Sequence, residues 1–387
     1  MSTKKVAAFI TAALLTFSFS ACGGEAQEEL KINNTEMYSE EVCNYLLAED
    51  EYEQIMALKY ADVYDMQITN VTWKEKKNAD SYGIVLSTSS NMLDAIEYSV
   101  DGSTTEYTFN TLTPATKYYV NLRAYDKNGK VIHQSKAQSF QTQDDTCARI
   151  INVEGVSNFR DIGGYTAQNG AKVKYGLIYR GARLNSITEL GVEVFTRELN
   201  IKTELDVRYG TDGGKAIEMD GVAYMQYGMW AYNSILPDTC QPKTNGLFDA
   251  RTIEGIKGVF ETIANPNNLP AYIHCTAGAD RTGTICYLIN GVLGVEYEEL
   301  VTDFELTSFS AQGRRWRSEV KNWEFDNTGV MQNDEKNFIA FGQMHSLMMQ
   351  YYAPNGETLQ QAIENYLTSV CGVSMQTINA VRENLLA

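Results

Sequence analysis

The spacing of apolar and polar positions divides the chain into four stretches. Lys4 and Lys5 precede an apolar run that starts at Val6 and gives way to Ser20 and Ala21. That pattern predicts an export signal over residues 1–21, too short and wrongly flanked to span a membrane. Residues 22–62 open with the polar tether "GGEAQEEL" and continue as an acidic, helix-friendly segment. There Ser39 can open a helix, and Val42, Tyr45 and Leu46 give it one apolar stripe. Over residues 63–145 the pattern changes to short runs rich in Val, Tyr, Thr and Phe, such as "ITNVTW", "SYGIVLSTS" and "KYYVNLRAYD". Asp101-Gly102, Pro114 and Asn128-Gly129 separate them. Such punctuation predicts a small antiparallel β sandwich.

From residue 150 to 387 the pattern is α/β. "KTELDVRY" and "PAYIHC" read as buried strands, while "SITELGVEVFTREL" and "DRTGTICYLINGVL" read as helices. Strand, tight loop and helix in that order predict a mostly parallel sheet flanked by helices. "ETLQQAIENYLTSVCGVSMQTINAVRENLLA" closes the chain as two helices broken at Gly372. A chain of 387 residues exceeds one ordinary core, in keeping with this division.

Charge narrows the partners. The 32 basic residues against 49 acidic ones give a net of -17, which argues against nucleic acid and against electrostatic binding to an anionic membrane. The seven cysteines show no paired spacing, and the three histidines are scattered. Neither a zinc site nor a disulfide framework is expected, and no metal or other cofactor.

The chemistry concentrates in "AYIHCTAGADRTGTICYLI", residues 271–289. A cysteine between a strand and a helix lies where unpaired N–H groups and the helix dipole favour anions. The same field favours the thiolate. Five residues between Cys275 and Arg281 let the loop curl into a cup, with the N–H groups of Thr276, Ala277, Gly278, Ala279 and Asp280 turned inward. Arg281 then closes it with a planar fork suited to two phosphate oxygens. This is a site for phosphoryl transfer to cysteine and then to water. Thr282 can donate its hydroxyl to the thiolate, His274 can hold the loop, and Gly278 and Gly283 permit close packing.

The motif resembles the cysteine-dependent protein tyrosine phosphatase superfamily. "NFRDIGGY", "GLIYRGARLNSIT", "LNIKTELDVRY", "HCTAGADRTG" and the closing helices follow the order of its bacterial tyrosine-phosphatase-like branch. The resemblance implies an enzyme acting on phosphomonoesters, with Cys275 and Arg281 catalytic and Asp280 the general acid. Position leaves two other acids open for that role. Asp238 resembles the acid of a mobile Trp-Pro-Asp loop, and Asp206 ends a strand. In "NFRDIGG", Arg160 and Asp161 are expected to pair locally and serve chiefly as support. Family members acting on phosphoinositides often carry lysine where this chain has Ala279. "GRRWRSEVKNW" reads either as a solvated helix face or as a lid offering Arg314, Arg315 or Arg317 to a phosphate.

The 63–145 segment resembles a fibronectin type III module through Trp73, Tyr82 and "LTPATKYY", and such modules are usually spacers or adhesion units. The end of the export signal at Cys22 resembles a bacterial lipobox. That implies acylation of Cys22 and an exported protein anchored in the cell membrane by lipid. The expectation is an exported phosphatase of phosphotyrosine, with dual specificity open, acting on a phosphorylated protein or a small phosphomonoester. A phosphatase of phosphoinositides or inositol phosphates is the alternative. An inactive phospho-binding or adhesion protein is a third reading, against which the intact Cys275, Arg281 and Thr282 argue.

Overall fold

The computed structural model describes residues 30–34, 40–60, 69–142, 149–240, 250–311, 315 and 331–387. Cys22 and the leader lie outside the described residues. The β-branched and aromatic runs pair as antiparallel strands, the backbone that suits them. One sheet joins β1 (Leu30–Asn34), β2 (Thr69–Trp73) and β5 (Glu106–Phe109). The other runs β4 (Ile96–Asp101), β3 (Ser81–Ser87), β6 (Lys117–Tyr125), β7 (Val131–Gln134), with β8 (Gln138–Gln141) also on β6. The Tyr118 hydroxyl accepts a hydrogen bond from the Thr113 N–H at 2.9 Å, closing the corner spelled by "LTPATKY".

Two features of this half depart from expectation. The predicted helical segment is present as α1 (Glu40–Leu47) and α2 (Glu51–Tyr60), but its first residues, 31–34, join Leu30 at the end of the predicted tether in a strand. "LKINN" pairs antiparallel with β2, from Leu30 opposite Trp73 to Asn34 opposite Thr69. Leu30 and Ile32, two apart, share one face, as the strand period requires. The second departure is that the sandwich is not a free spacer. Its apolar core takes in Val42 and Tyr45 of α1, Ala57 and Leu58 of α2, and Leu306 and Phe309 of the C-terminal domain. Polar bonds seal the junction. Tyr45 donates to Glu305 Oε2 at 2.6 Å, Thr111 donates to Glu198 Oε2 at 2.6 Å, and Arg149 Nε donates to the Leu112 carbonyl at 3.0 Å.

The C-terminal sheet has the order β13 (Ala223–Gln226), β12 (Thr203–Asp206), β14 (Ala271–His274), β11 (Ile178–Gly181), β10 (Arg160–Asp161), β9 (Arg149–Ile150). The first four are parallel and the last two, short and antiparallel, form the edge. Alternation along β14 sorts its side chains. Ala271 and Ile273 join the core beneath α4 (Ala250–Ile263) and α5 (Asp280–Leu293). Tyr272 turns to the opposite face and stacks on Phe159, ring centroids 4.8 Å apart. On that face lies α3 (Glu189–Glu193), which continues as a π-helical turn. α6 (Tyr297–Glu305) and α7 (Met331–Tyr352) follow α5, and α8 (Leu359–Ser369) and α9 (Met375–Leu385) close the chain around Gly372, whose φ is 65°. Thr358 and Gln361 form a capping box at the start of α8. Among the described residues no helix is long and apolar enough to cross a membrane.

Candidate active site

β14 ends at His274 and α5 starts at Asp280, so Cys275–Ala279 is the loop between them. Its carbonyls are held from outside. Arg183 N–H donates to Thr276 O at 3.2 Å, Asn158 Nδ2 to Ala277 O at 3.0 Å and Arg180 Nη2 to Gly278 O at 2.7 Å. Gly283 N–H donates to Ala279 O at 2.7 Å. With the carbonyls engaged, the N–H groups of residues 276–280 have no protein acceptor among the described residues. A run of unspent N–H groups at a helix N-terminus is an anion cup. Gly278 makes the curl, with φ of 68° and its α-carbon against the backbone of Gly181. An added Cβ there would lie 2.2 Å from Gly181 C and O. Strain and overlap both reserve the position for glycine.

Buried charge supports the loop. Arg180, which holds Gly278 O, also donates to Asp303 Oδ2. Arg160 donates to Asp303 Oδ1 at 3.0 Å through Nε and to its carbonyl at 2.7 Å through Nη2. All three side chains are buried. Burial alone would raise the Asp303 carboxyl, but Arg180 and Arg160 outweigh it and hold it below its ordinary value. The expected local pairing of Arg160 with Asp161 is therefore corrected. Arg160 reaches Asp303, 143 residues on, and Asp161 accepts from Arg149 Nη1 at 3.0 Å. Both arginines are too buried to touch substrate, so the segment is support. His274, fully buried, bridges the Cys275 carbonyl through Nδ1 at 3.0 Å and Glu204 through Nε2 at 2.9 Å, fixing the strand end.

Above the loop opens a cavity of about 580 Å³ lined by Asp212, Trp230, Tyr232, Thr276, Asp280 and Arg281. Cys275, next to Thr276 in the chain, is itself buried, with 3% of its surface exposed, and is not among the lining residues. Arg281 is turned by Asp212, Nη1 to Oδ2 at 2.6 Å, and its Nη2 lies 3.5 Å from Thr276 Oγ1. Asp280 is gripped on one oxygen. Tyr232 donates to Oδ1 at 2.5 Å and Arg315 Nη2 approaches it at 3.3 Å. Burial first, then Asp280, pushes the Tyr232 phenol well above its usual value, so it stays a donor. Tyr232 takes a φ of 55°, and Thr284 Oγ1 accepts its N–H at 2.9 Å. Thr282 is fully buried and its hydroxyl has no protein partner among the described residues, which leaves it available to a thiolate. Ala279 is buried and adds no cation.

The structure thus brings together Cys275, Thr276, Ala277, Gly278, Ala279, Asp280, Arg281 and Thr282. Asp206 is placed elsewhere. It is fully buried, its oxygens taken by Arg208 and Tyr224, and it does not line the cavity. Such a strand-end anchor cannot hand a proton to substrate. Asp238 opens a short 3-10 turn, Asp238–Cys240, and its side chain lies outside the described residues. Arg315 is the part of "GRRWRSEVKNW" that reaches the site, whereas Arg314 and Arg317 lie outside the described residues. Sequence reasoning missed Asp212 and Tyr232. An acid six residues past Asp206 was the only signal for the first, and none existed for the second.

Residues 151–387 match the tyrosine phosphatase family and residues 55–141 the fibronectin type III domain. A Cupriavidus necator protein, named as a candidate tyrosine-protein phosphatase, is 27% identical over 164 residues; the match covers 38% of this chain and 59% of that protein's length. Among solved structures, the core catalytic domain of the PP-IP phosphatase Siw14 from S. cerevisiae, in complex with citrate, aligns with 44% of this chain and 94% of its own, at 16% identity and a TM-score of 0.26. The fibronectin type III domain of human contactin 1 aligns with 22% of this chain and 74% of its own, at 18% identity and a TM-score of 0.19.

Proposed function

Because the chain belongs to the tyrosine phosphatase family, we propose that it hydrolyses phosphotyrosine in proteins through a phosphocysteine on Cys275. The observation that carries this reading is the loop Cys275–Ala279, whose carbonyls are tied back so that its N–H groups are free for a phosphate. The phosphoryl group sits in that cup with Arg281 forked on two of its oxygens. The Cys275 sulfur attacks phosphorus from below, and the P–O bond to the tyrosine breaks as the S–P bond forms. Asp280 gives its proton to the departing phenolate oxygen. A water then attacks phosphorus, returning its proton to Asp280, and the S–P bond breaks with its electron pair on sulfur. The Thr282 hydroxyl stabilises the thiolate that leaves. Arg281 and the backbone dipoles stabilise the charge spread over the phosphoryl oxygens.

An aryl ester suits this site for two reasons. Trp230 and Tyr232 wall the cavity, ready to pack against a phenyl ring, and among the described residues Arg281 is the one arginine that lines it. Among the described residues, a compact molecule carrying several phosphates would meet Asp212 and Asp280, where the nearby Arg315 is already paired with Asp280. The test is turnover of a phosphotyrosine peptide beside a phosphoinositide. Cys275→Ser should abolish turnover while retaining phosphate-ester binding, and Arg281→Ala should damage both. Wild-type-like turnover by the Ser variant would defeat the mechanism.

The proposal also places the chain outside the cytoplasm, acylated at Cys22. Mass spectrometry of the mature protein should find a lipid on Cys22. A free amino terminus at another residue would refute this part alone.

A further inference from the structure

The loop that presents Asp212 to the active-site cavity presents Arg208 and Tyr209 to another. This second cavity, of about 390 Å³, is also lined by Gln226, Arg251 and Glu254. Arg208 forms part of its wall although only 2% of the residue's surface is exposed. Its Nε and Nη2 bind Asp206 at 2.9 and 2.7 Å, and its Nη1 has no protein partner among the described residues. That donor is not among the buried atoms that lack a partner, so it is open to the cavity and can be offered to an acceptor there. At the mouth, Arg251 lies over the Tyr209 ring, 4.8 Å from its centroid. The Tyr209 ring lies 5.2 Å from Trp230, which lines the first cavity. The two cavities are therefore neighbours across a wall of two aromatic rings.

Resting on the phosphotyrosine reading, we infer that this second cavity is a substrate subsite for an acidic side chain close to the phosphotyrosine in a peptide. Arg208 Nη1 and the Gln226 amide supply donors at its wall, and Arg251 supplies charge at its rim. Among the described residues the first cavity is lined by two acids and one arginine, and Arg315 beside it is paired with Asp280 at 3.3 Å, so a second anion on the substrate finds further donors across the wall. An extended peptide advances roughly 3.3–3.6 Å per residue, so one or two residues carry a side chain past the ring pair. Glu254, one helical turn beyond Arg251, opposes the anion and tempers the preference. On a chain with a net charge of -17, local cations of this kind are what admit an acidic substrate.

The test compares kcat/KM for two phosphotyrosine peptides, one flanked by Asp and Glu and one by Ala, in the full-length wild type, Arg251→Ala and Glu254→Gln. The acidic peptide should lead by roughly tenfold in the wild type, equivalent to about 1.4 kcal/mol. Arg251→Ala should close the gap, Glu254→Gln should widen it, and added salt should shrink it. Equal rates on the two peptides, with para-nitrophenyl phosphate still hydrolysed by the wild type, would overturn the subsite and leave the phosphatase reading intact. An inositol polyphosphate preferred over both peptides would overturn the peptide assignment. No turnover of para-nitrophenyl phosphate would defeat the phosphatase reading and the subsite with it.

Discussion

Replacing Asp303 by Asn tests whether buried charge holds the catalytic loop. The carboxylate accepts from Arg160 and Arg180, and all three side chains are buried. Asn keeps the shape but removes the negative charge, leaving two guanidiniums near one another without a counter-ion. Breaking a buried pair in this way costs roughly 3–5 kcal/mol. A domain's whole stability is about 5–15 kcal/mol. The sign of the pH dependence follows from the direction of the shift. Arg180 and Arg160, acting against burial, hold the folded carboxyl below its ordinary value. A group whose value is lower folded than unfolded adds stability above the unfolded value, about 3.9, and loses it as pH falls through the folded one. Urea unfolding should therefore separate variant from wild type at neutral pH, and the two should converge in acid below about pH 4. Activity should fall with stability, because Arg180 also holds Gly278 O. A change under about 1 kcal/mol at neutral pH, with normal turnover, would refute the reasoning.

Tyr45→Phe removes a buried donor to Glu305, two residues from Asp303, and should cost about 1.5–3 kcal/mol in urea unfolding; an unchanged midpoint would mean the junction does not hold. Tyr232→Phe removes one of the two donors on Asp280 Oδ1, leaving Arg315, and should lower kcat by roughly tenfold with little change in KM, read in steady-state kinetics on a phosphotyrosine peptide. Burial pushes the Cys286 and Cys371 thiols up to about 12, so brief iodoacetamide treatment of the native protein should label Cys275 ahead of both in peptide mass spectra. Inorganic phosphate in the cup should slow that labelling, and labelling of Cys286 first would count against the assignment.

What was legible in the sequence was local. The strand, loop and helix around Cys275 follow from an apolar run that ends at a cysteine and resumes after Arg281. The sandwich follows from alternating runs between turn residues. What was hidden depends on distant partners. "NFRDIGG" reads as a self-contained turn, yet Arg160 completes its pairing with Asp303, 143 residues later. Period and propensity carry no information about such partners. "LKINN" is too short and too polar to stand out until β2 lies beside it. Leu306 and Phe309 look like ordinary core residues at the end of α6, and only the packed structure shows that they belong to the core of the sandwich. Tyr232 was invisible because its role depends on an uncommon positive φ, stabilised by Thr284, that no local motif announces.

The central claim is covalent transfer to Cys275, and rapid acid quenching tests it most directly. Full-length enzyme mixed with para-nitrophenyl phosphate is quenched within one turnover, and its peptides are mapped by mass spectrometry. The account predicts a phosphoryl group on the peptide that carries Cys275, absent from Cys275→Ser and accumulating when the water-activating step is slowed in Asp280→Asn. Full turnover with no adduct at Cys275 in either wild type or Asp280→Asn, or an adduct on another residue, would contradict it.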